Sequence, residues 1–227
     1  MGRGRKTIGG LVAVLLATFG VGQAIGATEQ IAASPTCCQF SKANFTIDPG
    51  QVANFSNTGD DSQDVTSQTD GPDGQKLFES ETITAGKNPP VVGTQYLTPW
   101  SYPFFCSIHP EMVAQLTVGA GAPVARPAVK LKVTSKKVDK VASSGKLLVK
   151  VTAQAASQSV VVTAKKGSLK LGKASTVADL AAGASQTLKF KLSGSQKNKL
   201  DGLNSAKIKV SATVPFGTPA KTSRTLK

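Results

Sequence analysis

Cys106, His109 and Met112 bring a thiolate, an imidazole and a thioether within seven residues, in the run Tyr102-Pro103-Phe104-Phe105-Cys106-Ser107-Ile108-His109-Pro110-Glu111-Met112. Cys-x-x-His-x-x-Met is a soft donor set. It suits copper, because a thiolate and an imidazole with a weaker thioether are acceptable to both oxidation states, and this lowers the reorganisation that electron transfer requires. His109 is the only histidine among 227 residues, so a zinc-protease helix or any site built from several histidines is excluded. A Ser/His/Asp triad would have to use His109 itself, and no Gly-x-Ser-x-Gly nucleophile turn accompanies it. No glycine-rich phosphate loop follows a strand-like run. The expectation is a binding protein and not an enzyme.

The elements that must hold these donors read as strands. From Asn44 to Val118, short alternating stretches recur between turn residues: Phe45-Thr46-Ile47, Leu77-Phe78, Tyr102 to Phe105 and Gln115 to Val118. Gly119 to Pro127 is rich in Gly, Ala and Pro without periodicity, and reads as an exposed linker. Period-two alternation then returns with Lys on the outward positions: Val129 to Val133, Leu147/Val149/Val151, Leu188/Phe190/Leu192 and Ile208 to Val214. With Val160 to Val162 and Leu169 to Leu171 this makes about seven strands in the last hundred residues, the spacing of a small sandwich. Ser195 to Leu203 is expected to form a helical turn.

Charge divides the chain in the same place. Residues 28–122 carry three Lys against ten acids, net −7; residues 123–227 carry 21 basic residues against Asp139, Asp179 and Asp201, net +18. Arg3, Arg5 and Lys6, the apolar run Ile8 to Val21 and the small residues ending at Ala27 have the layout of an export signal. The expected division is therefore a signal peptide at 1–27, a metal-binding β-domain at 28–118, a linker at 119–127 and a basic β-domain at 128–227. The protein is expected to be secreted, periplasmic or at the cell surface.

The donor loop, with Ile47-Asp48-Pro49-Gly50, Phe55-Ser56-Asn57, Leu77-Phe78-Glu79-Ser80 and Ala85-Gly86 upstream, resembles the cupredoxins, the plastocyanin and amicyanin group of blue-copper proteins. The resemblance covers roughly Phe40 to Val118. It implies an all-β, cupredoxin-like sandwich with Cys106 as thiolate ligand, His109 as loop imidazole and Met112 as axial ligand. The second half resembles immunoglobulin-like modules, on strand pattern alone. The cupredoxin pattern places a further histidine in the stretch that here reads Ser62-Gln63-Asp64-Val65-Thr66-Ser67, and Gln63 stands in its place.

Three outcomes stay open: Gln63 ligates through its amide oxygen, or the site holds mainly Cu(I) on Cys, His and Met, or copper binding is lost and the domain is structural. The rival from another class is a surface adhesin or wall-binding protein with a vestigial site. Cys37 and Cys38, just ahead of the first strand, are expected to form a bridge or to lie in a flexible N-terminal stretch, in preference to a second soft-metal site. The expected partners are a copper ion, a redox partner docking near His109, and an anionic cell-wall polymer attracted by the basic half. Nucleic acid is not expected for an exported chain with so few aromatic residues.

Overall fold

Alternation along each strand decides which face is buried. Phe45 and Ile47 of β2 (Asn44–Ile47) are buried while Asn44 and Thr46 face outward, and the same rule runs through the chain. The computed structural model describes residues 30–36 and 38–227. The expected export signal and Cys37 lie outside the described residues.

The first half comprises β1 (Gln30–Ala32), β2, β3 (Ala53–Ser56), β4 (Thr66–Ser67), β5 (Pro90–Val91), β6 (Ser101–Phe105) and β7 (Val113–Val118). A four-stranded sheet has the order β2-β7-β6-β4, and a three-stranded sheet the order β1-β3-β5. β2 runs parallel to β7 and β1 parallel to β3. Between the sheets, Phe40, Phe45, Phe55, Phe78 and Phe104 pack mostly edge to face, the Phe40 and Phe104 rings lying 4.8 Å apart. Such pairs add to the stabilisation that burial alone provides.

Leu77 and Phe78 were expected in a strand, but only single bridges form there, Thr66 to Glu79 and Glu79 to Val92. Both side chains are buried. Successive residues of a strand point to opposite faces, so two adjacent buried neighbours beside a single core favour irregular backbone.

The second half comprises β8 (Ala128–Val133), α1 (Val138–Ser144), β9 (Lys146–Ala155), β10 (Ser157–Lys166), β11 (Leu169–Lys170), β12 (Ser175–Leu180), β13 (Ser185–Lys191), α2 (Gly194–Asn198), β14 (Ala206–Thr213) and β15 (Ala220–Leu226). One sheet has the order β13-β9-β8; the other has the order β11-β10-β14-β15, with β12 also paired to β10. Their facing sides share a core of Val, Leu, Ile and Ala with the single aromatic Phe190. The all-β class expected from the sequence is the one observed. The helical turn expected from Ser195 is α2, closed by a capping box between Ser193 and Gln196. β12, β15 and α1 were not anticipated. α1 buries Val138, Val141 and Ala142, a helical spacing only two turns long.

The halves meet at the loop joining β14 to β15. The Phe216 N–H donates to Asp73 Oδ2 at 2.8 Å, its carbonyl accepts from Arg126 Nη1 at 3.0 Å, and its ring lies 6.3 Å from that of Tyr96. Gly93 makes the approach feasible: its φ is 98°, and a Cβ there would sit 2.5 Å from the Leu77 carbonyl and 3.0 Å from the Phe216 ring. The connecting segment 119–127 is largely exposed, yet it is pinned where the Val124 N–H donates to the Gln95 carbonyl at 3.1 Å. Partial burial lowers the Arg126 pKa, an effect opposed by nearby Tyr102 and Asp73.

Candidate metal centre

β6 and β7 are neighbouring antiparallel strands whose last ladder pair is Phe105 with Val113. Cys106 is the residue after the end of β6, and Met112 the residue before the start of β7. The loop between them closes on itself: the Cys106 N–H donates to the Met112 carbonyl at 3.0 Å, and the Met112 N–H to the His109 carbonyl at 2.8 Å. The rigid ladder thus sets the width of the loop, and the inner bond fixes the turn that presents His109.

Gln63 arrives from the other side. β4 pairs with β6, Thr66 opposite Phe105, and Gln63 is held ahead of β4 by a reciprocal pair of backbone bonds with Ile83, at 2.9 and 2.8 Å. The ladder brings residue 63 beside residues 106 and 109.

Three of the four residues singled out from the sequence meet through their side chains. Cys106 Sγ lies 3.9 Å from His109 Nδ1, and His109 Nδ1 lies 3.1 Å from Gln63 Oε1. The one ring nitrogen thus faces both the sulfur and the amide oxygen. Met112 is tied to Cys106 and His109 through its backbone bonds, and its side chain is buried. Cys106, Met112 and Gln63 are buried while His109 is partly exposed.

Cys106 is a free thiol and Cys38 is disulfide-bonded. The bridge therefore leaves the sulfur of the cluster untouched.

Asp64 and Ser107 were not singled out from the sequence. The Asp64 N–H donates to Cys106 Sγ at 3.5 Å and so helps to fix where the sulfur points. Its buried carboxylate accepts from the Ser107 N–H at 2.7 Å, from the Ser107 hydroxyl, and from Thr66 and Thr82 at 3.3 and 3.4 Å. Those bonds lash the segment carrying Gln63 to the loop carrying Cys106. The only signal for this in the sequence was adjacency, since Asp64 follows Gln63 and Ser107 follows Cys106.

The donor chemistry fits a soft ion: a sulfur with an N–H aimed at it, a ring nitrogen facing that sulfur, and an amide oxygen on the same nitrogen. Among the described residues, no group of three His, Cys, Asp or Glu side chains is arranged to hold a metal. Among the described residues no helix is long and apolar enough to cross a membrane.

No protein-family model and no curated protein matches the chain. Among solved structures, the chain is similar to amicyanin from Paracoccus versutus (Thiobacillus versutus), with 17% identity and a TM-score of 0.34, over 41% of this chain and 82% of that one. It is also similar to a reduced tryptophan-to-tyrosine variant of amicyanin, at 12% identity and a TM-score of 0.34, over 40% of this chain and 82% of that one. A third similar structure is the Cu(I) form of a methionine-to-alanine variant of amicyanin, at 12% identity and a TM-score of 0.35, over 41% and 84%.

Proposed function

We propose that the first half is a cupredoxin-like copper-binding module of an exported protein, holding the ion on Cys106, His109, Met112 and Gln63 and serving in electron transfer or copper handling without catalysing a reaction of its own. The observation that carries this reading is the meeting of Cys106 Sγ, His109 Nδ1 and Gln63 Oε1 within hydrogen-bonding reach of the single imidazole. A bound copper ion would supply one-electron redox chemistry. The chain's own residues supply the rest: Asp64 orients the thiol and ties the two ligand segments together, while burial keeps water from the sulfur.

With one imidazole, one thiolate, one thioether and one neutral amide, the set is softer than one with two imidazoles. Softer donors favour Cu(I) over Cu(II). The reading is therefore tested by titrating the purified protein with each oxidation state. Colourless stoichiometric uptake of Cu(I), lost in Cys106→Ser, supports storage or delivery; intense visible absorption with Cu(II) supports a thiolate redox centre. Failure to take up either ion overturns the copper reading and leaves a structural sandwich.

A further inference from the structure

The sheet β11-β10-β14-β15 presents an outward face whose cross-strand pairs are of an unusual kind. Lys165 on β10 stands directly opposite Lys209 on β14 and Lys170 on β11. Like charges directly opposite in a ladder are destabilising. Around them the face continues in lysines and hydroxyls: Lys209 opposite Ser223, Ser211 opposite both Thr163 and Lys221. A shallow groove across β14 and β15 is lined by Lys165, Lys207, Lys209 and Lys221 with Ser211 and Ser223.

Among the described residues no acidic side chain pairs with the lysines of this face. Among the described residues, no lysine from 128 to 227 makes a salt bridge, the ion pair observed being Lys76 with Asp70 in the first half. The acidic half cannot compensate in trans, because its net −7 set against the net +18 of residues 123–227 leaves +11. Lysines two apart on one strand face are separated by about 6.5–7 Å, and neighbouring strands by about 4.8 Å, so the positive charges form a lattice and not a point. A lysine head is a compact charge without the planar fork of Arg, which suits repeated anionic groups more than one shaped ligand.

We propose that this face binds a linear polyanion bearing repeated phosphate or sulfate groups, laid along the groove over β14 and β15. The opposite outward face, on β13-β9-β8, also opposes Lys132 to Lys150 and Lys146 to Lys191. Its groove is bordered by Lys136, Lys137, Lys140, Lys146 and Lys189 beside the partly exposed Leu148, and does not take in Lys132 or Lys150. That makes it a matched control within the same domain.

The test compares two fourfold variants of the full chain with equal change in net charge: Lys165, Lys207, Lys209 and Lys221 each to Gln, and Lys132, Lys146, Lys150 and Lys191 each to Gln. Binding to long-chain inorganic polyphosphate and to heparin is measured across a salt series, with monomeric phosphate and neutral dextran as controls. The first variant is expected to lose at least about tenfold in affinity and to show a shallower salt dependence, because fewer anionic groups are neutralised; the second should lose less than about threefold. Polyphosphate and heparin arms separate phosphate from sulfate preference. Equal losses in the two variants overturn the proposal in favour of diffuse attraction, as does binding confined to phosphatidylglycerol vesicles, or self-association abolished by the first variant. Should either variant fail to fold, the wild-type chain decides: the proposal requires polyphosphate to outcompete monomeric phosphate at equal phosphate concentration, and equal competition sinks it. Copper titration of the same samples is expected to be unchanged, which keeps this result separate from the metal reading.

Discussion

The two halves are both sheet-on-sheet packings, yet they place their unusual side chains in opposite locations. In the first half the strands are two to six residues long and the core is centred on phenylalanines. Much of the chain there is loop, and its reactive groups are buried where loops meet. In the second half β9 and β10 are ten residues long, the core is aliphatic, and the charged groups all stand outside. The difference teaches how each half could bind. Short strands with long connections can bring distant segments to one point, as a metal centre needs, whereas long regular strands can only repeat a side chain at fixed intervals, which makes a surface.

The comparison breaks most completely at Cys106. Cys106→Ser is expected to abolish copper uptake while far-UV circular dichroism and polyanion binding stay as in the parent chain; retained stoichiometric uptake would mean that the sulfur is not a ligand. Next in size, Phe104→Ala is expected to cost about 3–5 kcal/mol in the first half, since Phe104 packs on Phe40, Phe45 and Phe78. Phe190→Ala should cost a similar amount in the second half, and denaturant melts of the two variants would show whether each core fails separately.

Asp64→Ala is expected to cost about 1–3 kcal/mol by leaving the Ser107 N–H without its acceptor, and to weaken copper uptake about 10–100-fold by releasing the ligand loop. Asp64→Asn should recover part of both, because the amide oxygen still accepts. Phe216→Ala is expected to remove about 1–2 kcal/mol of coupling between the halves, seen by calorimetry as a single transition separating into two. The smallest effect is at Lys150→Glu, which turns the opposed pair with Lys132 into an attractive one and should raise stability by about 0.2–1 kcal/mol. A loss there would mean that the lysines are not in electrostatic conflict.

Much of the second half was legible because its signal is local. Val129 to Val133, Leu147 to Val151 and Ile208 to Val214 alternate strictly, and each became a strand with those residues inside. β15 escaped notice because Ala220-Lys221-Thr222-Ser223-Arg224-Thr225-Leu226 has almost no apolar contrast; it is a strand because β14 offers it a partner along seven residues. In the first half, Leu77 and Phe78 misled because their hydrophobicity reports burial and not backbone form.

By itself the sequence determined the donor types, their spacing, the absence of a second imidazole and the division of charge, since all of these are properties of residue identity and order. Only the tertiary structure decided that Gln63 reaches the same nitrogen that faces Cys106, that the Asp64 N–H points at the sulfur, and that Lys165 stands against Lys209. Those juxtapositions span more than forty positions of chain. They arise from strand pairing and register, which depend on the whole core packing at once and leave no mark in any local pattern.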